Sequence, residues 1–210
     1  QFGILQMRPL VLHREADDLR LEGLDEEDLI CRSPRVLGNG RIADIRDVVF
    51  TDPELFERSR SVEVAAEIAA MNARLVGDGV PYLLLGVGRW GSRDPWLGIP
   101  VAWGQIAGAR AIVEAGLRDI RVEPSQGSHF FQNLTSFQVG YFTINEDLGE
   151  GFVDWTWLRA QPAVEHGACV RHLRFEEPLR IHINGRTQEG VIFKPGKRRP
   201  LSIVPEGGGT

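Results

Sequence analysis

An uninterrupted apolar run, PYLLL at positions 81–85, constrains the fold of this 210-residue chain more than any other feature of its sequence. Successive side chains of a strand point to opposite faces of a sheet, so a strand without polar alternation is buried on both faces. A chain of this length buries roughly 70% of its unfolded surface, which suffices for one sizeable core. The composition, 42% hydrophobic and 25% charged, is that of a globular protein.

The segment before this run, 61–76, predicts an amphipathic helix. Its regularly spaced apolar residues are Val64, Ile68, Met71 and Leu75. Their spacings of four, three and four residues place them on one helical face, so Met71 is interpreted as a core residue. Ser61 can cap the start of the helix, and Gly77 can end it.

The remaining elements are short and do not alternate regularly as strand and helix. Residues 128–137 predict a helix, and further predicted strands lie at 42–50, 109–115, 139–144 and 169–175. Segments 179–183 and 186–193 predict a hairpin with the two-residue turn Asn184-Gly185. We therefore predict an α+β fold with a mixed, largely antiparallel sheet, a few short helices and a C-terminal β-hairpin, rather than a doubly wound fold.

Charge and cysteine content narrow the functional class. The net charge of −5 argues against a general nucleic-acid binder, which needs a basic surface. Cys31 and Cys169 are far apart and form no disulfide framework, which favours a reducing, cytoplasmic compartment. No apolar run approaches the roughly 20 residues of a membrane span, so we expect no membrane partner.

The segment GVGRWGSRDPWLG at 86–98 begins with a formal G-x-G-x-x-G match directly after a predicted strand. Glu114 follows Gly91 by 23 residues, near the position of a ribose-binding acid in dinucleotide sites. A dinucleotide fingerprint must open a helix, whereas Ser-Arg-Asp-Pro-Trp follows Gly91. We therefore do not expect a dinucleotide site here.

Two interpretations of the 86–98 segment stay open. In the first, Gly88 lets backbone N–H groups approach a small anionic substrate while Arg89 and Arg93 bind its phosphate or carboxylate. In the second, the segment is a structural loop in which Arg93 pairs with Asp94 and the two tryptophans belong to the core.

A second polar segment, PSQGSHFFQN at 124–133, lies at the start of the predicted helix. Helix N-termini favour anions, so Ser125, Gln126 and His129 are candidate anion-binding residues, and His129 is a weak catalytic candidate. The alternative is that Ser125 or Ser128 caps the helix and His129 is simply hydrogen-bonded within the fold. The five histidines are scattered, so no metal site is expected.

Two stretches, residues 5–9 and residues 82–145, resemble one protein family. The opening LQMRP at 5–9 resembles the L-Q-x-R-P end of the nucleotide-binding domain of phosphoenolpyruvate synthases and pyruvate phosphate dikinases. The segments GVGRWGSRDPWLGIPV (86–101) and PSQGSHFFQNLTSFQVGYFTIN (124–145) resemble the C-terminal region of bacterial PEP/pyruvate-binding proteins. With flanking segments, the resemblance covers most of residues 1–194.

The resemblance implies a domain organisation. Residues 1–12 would be the last strand of a truncated ATP-grasp nucleotide-binding domain, 13–194 a C-terminal α+β domain and 195–210 a flexible tail. In the family, the Gln and Arg of that strand reach the ATP phosphates, which points to Gln6 and Arg8. ATP and Mg²⁺ are thereby implied for the parent protein, and the upstream ATP-grasp domain is the implied partner.

The family's activity is phosphoryl transfer, in phosphoenolpyruvate synthase from ATP to pyruvate. The G-G-x-x-x-H motif that carries the phosphohistidine is absent, and His129, preceded by Gln-Gly-Ser, does not match it. We expect the C-terminal portion of such a cytoplasmic phosphotransferase, inactive alone. The alternative is a non-catalytic regulatory or docking domain.

Overall fold

The computed structural model describes residues 23–92, 94, 96–117, 120–123 and 129–197, with only the backbone described at His129 and Phe131. The predicted strand at 1–12 therefore lies outside the described residues. Of the predicted tail, 195–197 are described, and Lys197 Nζ lies 2.8 Å from Asp28 Oδ1.

Fourteen strands and three α-helices are present in the described residues. The strands are β1 (Leu29–Ser33), β2 (Arg35–Leu37), β3 (Gly40–Ile42), β4 (Asp47–Thr51), β5 (Tyr82–Val87), β6 (Arg89–Trp90), β7 (Gly98–Ile99), β8 (Ala109–Ala115), β9 (Gly140–Ile144), β10 (Phe152–Val153), β11 (Ala163–His166), β12 (Val170–Arg174), β13 (Arg180–Asn184) and β14 (Glu189–Phe193). The helices are α1 (Ser61–Gly77), α2 (His129–Ser136) and α3 (Trp155–Ala160).

The strands form two large sheets and one small one. The larger sheet has seven strands in the order β11-β12-β4-β5-β8-β9-β2. Its central strands β4, β5, β8 and β9 are parallel. The adjacent strands β12 and β2 are antiparallel to them, and the edge strand β11 is antiparallel to β12. The second sheet, β10-β1-β14-β13-β3, is antiparallel throughout, while β6 and β7 form a two-stranded sheet. The predicted α+β class is confirmed.

Burial of β5 on both faces is also confirmed. Leu84 faces a core cluster that includes residues of α1 and α2, whereas Leu83 and Leu85 face a second cluster shared with the five-stranded sheet. All three leucines have no solvent exposure. The described part of the molecule therefore has three layers, with the larger sheet between helices α1 and α2 on one face and the smaller sheet on the other, the side on which α3 also packs.

The helix that the apolar periodicity predicts is α1, and it forms the crossover between the parallel strands β4 and β5. Its four regularly spaced apolar residues are all buried. Ser61 does not cap the helix, because Arg60 occupies the N-cap position and the buried Ser61 hydroxyl has no hydrogen-bond partner. None of the helices in the described part of the chain is long and apolar enough to cross a lipid bilayer.

The C-terminal hairpin is present, but its turn is longer than predicted. Strands β13 and β14 pair from Arg180 opposite Phe193 to Asn184 opposite Glu189, which leaves four residues, 185–188, in the connection. The Asn184 side chain accepts hydrogen bonds from the backbone N–H groups of Arg186 and Thr187, at 3.0 and 3.1 Å. These bonds stabilise a wider turn, because Asn side chains can replace backbone acceptors in turns.

Glu67 connects α1 to the turn between β11 and β12. Its half-buried carboxylate accepts hydrogen bonds from three successive backbone N–H groups, those of Ala168 (2.9 Å), Cys169 (3.2 Å) and Val170 (3.1 Å). A side chain at Gly167 would overlap the carboxylate. A single carboxylate on α1 thus accepts hydrogen bonds from three successive N–H groups of this turn.

We predict that Glu67→Gln lowers the free energy of unfolding by about 1–3 kcal/mol, because the amide offers the three N–H groups one acceptor oxygen and a competing donor. Urea denaturation at neutral pH measures this change. Glu63→Gln is the matched control, since Glu63 pairs only with Arg60 on the exposed side of the same helix and should cost below about 1 kcal/mol. Equal losses in both variants would contradict this role of Glu67.

Candidate functional site

The first segment singled out in the sequence begins at the carboxyl ends of the central parallel strands. Residues 86–98 leave β5 at this edge, and Glu114 lies near the end of the adjacent strand β8. In open sheets with parallel strands, ligands bind outside the carboxyl ends. This edge of the sheet is therefore where we expect a ligand-binding site.

Glu114 is the central polar residue of the edge. It is 2% exposed and lies in register with Gly86 of β5 and Thr143 of β9. Its Oε1 accepts a hydrogen bond from the Trp90 backbone N–H at 2.8 Å, and its Oε2 accepts one from the Tyr141 hydroxyl at 2.5 Å. Both carboxylate oxygens of Glu114 thus accept hydrogen bonds from the protein itself. They are not available for the ribose contact that the spacing from Gly91 suggested.

The pKa of the Glu114 carboxyl is shifted toward neutral pH. Burial raises its pKa from 4.5 to about 7, although the bonds from Tyr141 and Trp90 and the nearby Arg89 charge act in the opposite direction. Burial and the Glu114 charge likewise raise the pKa of Tyr141. A carboxyl with such a pKa can hold or release a proton at physiological pH.

The backbone of the 86–98 segment is hydrogen-bonded within the protein. The N–H groups of Gly88 and Arg89 donate to the carbonyls of Ala115 (2.8 Å) and Leu97 (2.9 Å). The Trp90 N–H donates to Glu114, and the Gly91 N–H donates to the Ile99 carbonyl at 2.9 Å. Four successive donors are therefore engaged, so they cannot cradle a phosphate without breaking these bonds.

The glycines of this segment are explained by close packing. A side chain at Gly86 would overlap the Trp90 ring, whose Nε1 donates to the Val113 carbonyl at 3.1 Å. Gly88 has a φ of +76°, and a Cβ there would lie 2.8 Å from the Gly98 Cα. A side chain at Gly98 would overlap the Arg89 backbone. These positions need glycine for the loop to fold onto itself.

Helix α2 packs against this loop through aromatic residues. A Cβ on Gly91 would lie 3.3 Å from the Phe130 ring. The Phe130 ring makes an edge contact with Trp103 at 5.7 Å between centroids, and Trp103 stacks on Phe137 at 5.6 Å. The tertiary structure thus brings Phe130 of α2 next to Gly91 of the loop.

The predicted site residues divide into described and undescribed ones. Gly88 lies between β5 and β6, and Arg89 is the first residue of β6. Arg89 is half-buried and lies beside Glu114. His129 is the first residue of α2. The predicted residues outside the described ranges are Gln6, Arg8, Arg93, Ser125 and Gln126.

The two loop tryptophans differ in environment. Trp90 is 3% exposed and belongs to the core, whereas Trp96 is 66% exposed with the Arg58 guanidinium 5.4 Å above its ring. The core interpretation is therefore correct for Trp90 and wrong for Trp96. Sequence reasoning missed Tyr141, whose only signal is a hydroxyl-bearing residue within an apolar strand.

In the described ranges, no group of three or more His, Cys, Asp or Glu side chains is arranged to hold a metal ion. No known family model, characterised protein or solved structure matches this chain.

We predict that Gly86→Ala lowers the free energy of unfolding by about 1–3 kcal/mol, because the new methyl group displaces the Trp90 ring. Chemical denaturation followed by tryptophan fluorescence measures the loss. Gly77→Ala, at the end of α1 where a Cβ meets nothing within 4 Å, is the control and should be neutral or slightly stabilising. A Gly86→Ala protein as stable as the control would refute the packing explanation.

We predict that Glu114 makes folding pH-dependent. Because its folded-state pKa is raised, its contribution is complete below about pH 4.5 and is lost as pH rises to about 7. Relative to Glu114→Gln, which does not titrate, the wild-type free energy of unfolding should fall by on the order of 3 kcal/mol across this window. Denaturant titrations at several pH values measure the difference, and a pH-independent difference would contradict the prediction.

Proposed function

We propose that this chain is the C-terminal portion of a cytoplasmic ATP-dependent phosphotransferase resembling phosphoenolpyruvate synthase, and that residues 23–197 are non-catalytic in that reaction. The resemblance of 5–9, 86–101 and 124–145 to that family supports the proposal. Gln6 and Arg8 would contact the ATP phosphates, with Mg²⁺ balancing their charge. The upstream ATP-grasp domain would supply the rest of the nucleotide site.

The engaged N–H groups of residues 88–91 carry the non-catalytic part of the proposal. A phosphate-binding loop needs free backbone donors pointing at the ligand. Here the same donors hold β6, β7 and β8 together, and Arg89 lies beside the Glu114 carboxyl. The most specific family-like segment therefore supports a structural role better than a phosphate-binding one.

A docking or regulatory domain is the second candidate, and the exposed side of the same loop favours it. Trp96 and Leu97 are 66% and 43% exposed, and Phe137 at the end of α2 is 59% exposed. Exposed aromatic side chains are enriched in protein interfaces. In the proposed parent, the exposed loop residues Trp96 and Leu97 would contact another domain of the same protein.

We predict that Arg8→Ala lowers ATP turnover of the full-length parent by about a hundredfold, the usual cost of one donor that stabilises developing charge. Coupled measurement of ATP consumption with pyruvate tests this. Arg110→Ala, an exposed arginine on β8, is the control and should leave turnover unchanged. The 210-residue chain alone should consume no ATP.

Two results would overturn the proposal. Unchanged turnover in the Arg8→Ala parent would remove Arg8 from the nucleotide site and favour the docking alternative. ATP consumption by the isolated chain would contradict its non-catalytic role.

A further inference from the structure

A separate cavity of about 330 Å³ lies beyond the carboxyl ends of β8 and β9. Its lining includes Gly116, Ile120, Arg121 and the run 145–148. None of these residues is among those described above as hydrogen-bonded to Glu114, which are Trp90 and Tyr141. The cavity is at the sheet edge where parallel strands expose ligand sites, and its volume falls in the range of small-molecule sites.

One wall of the cavity is fixed by Asn145. Its Oδ1 accepts a hydrogen bond from the Val122 N–H at 2.9 Å, and its Nδ2 donates to the Val122 carbonyl at 3.0 Å and to Glu150 Oε2 at 3.1 Å. Both N–H groups of this amide and one lone pair of its oxygen are engaged within the protein, so the side chain is held in place and shapes the cavity. A Cβ at Gly116 would lie 2.8 Å from Asn145 Oδ1, so glycine is required where the chain turns.

The cavity contains unpaired charges of both signs. Arg121 follows β8, while Glu146 and Asp147 follow β9. Among the described residues, neither the Arg121 guanidinium nor the Asp147 carboxylate has a hydrogen bond or ion pair, and they do not pair with each other. Glu146 Oε1 accepts a hydrogen bond from the Val153 N–H, and no described contact uses its Oε2.

The Glu146 and Asp147 carboxylates line the cavity next to each other along the chain. Partial burial and the adjacent Asp147 carboxylate both raise the pKa of Glu146, although the bond from Val153 opposes them. A cation between the two carboxylates would relieve this repulsion. An anion beside Arg121 would gain a charge-assisted hydrogen bond. One ligand with both charges satisfies both sides.

We propose that this cavity binds a small zwitterion with one carboxylate and one ammonium group, of the amino-acid type. The ligand carboxylate pairs with Arg121, and its ammonium group lies against Glu146 and Asp147. Ile120 and Leu148 provide apolar contact for the carbon chain between the charges. The proposal does not depend on the phosphotransferase assignment, because it uses none of the residues on which that assignment rests.

A series of ω-amino acids tests the proposal with the full 210-residue chain. Glycine, β-alanine, γ-aminobutyrate and 6-aminohexanoate carry the same charges at increasing separation, and calorimetric titration measures their binding. We expect saturable binding of at least one member. The single-charge probes n-butyrate and n-butylammonium should bind roughly tenfold more weakly or worse, since each loses one charged contact.

Two exposed residues give variants that should fold normally. Arg121→Gln and Asp147→Asn should each weaken the best zwitterion by roughly tenfold or more. Arg110→Gln and Asp44→Asn, exposed residues outside the cavity, are the matched controls and should bind as the wild type does. The proposal is overturned if no zwitterion binds, if a single-charge probe binds equally well, or if the cavity variants bind like the controls.

Discussion

Leu83, Leu84 and Leu85 at the centre of the larger sheet point alternately to its two faces, and none is exposed to solvent. Each buried leucine contributes about 2 kcal/mol relative to an exposed one, so both faces of β5 need an apolar cover. Helices α1 and α2 cover one face, and the five-stranded sheet covers the other. The layered architecture follows from this double burial, and it also determines that the carboxyl ends of four parallel strands share one edge.

At that edge, the cost of burying a carboxyl group is offset by bonds from two other elements. Glu114 receives hydrogen bonds from the loop at Trp90 and from Tyr141 on β9. A buried acid with partners is far less unfavourable than an unpaired one, so the loop and β9 are held where they satisfy it. The same arrangement occupies the loop's backbone donors, which explains why a glycine-rich segment here is structural.

Local patterns predicted the elements whose signals are contained in a few neighbouring residues. The helix at 61–76 and the strand at 109–115 are found as α1 and β8, because side-chain periodicity and apolar content are local properties. The hairpin was predicted, but its turn was not, since the Asn184 side chain competes with the backbone for the turn's N–H groups. For the site, sequence reasoning identified the 86–98 loop and Arg89, but noted Glu114 only by its spacing from Gly91.

The sequence by itself therefore determined the α+β class, α1 and the buried central strand. These features follow from the apolar content and the spacing of apolar residues within short segments of the chain. Only the tertiary structure decided that residues 88–91 donate their N–H groups inward, since their acceptors lie on β7 and β8 and in the Leu97 carbonyl. It alone placed Phe130 against Gly91 and gathered Arg121, Glu146 and Asp147 around one cavity. Those contacts join residues that are distant along the chain, so their distances depend on how the layers pack rather than on any local pattern.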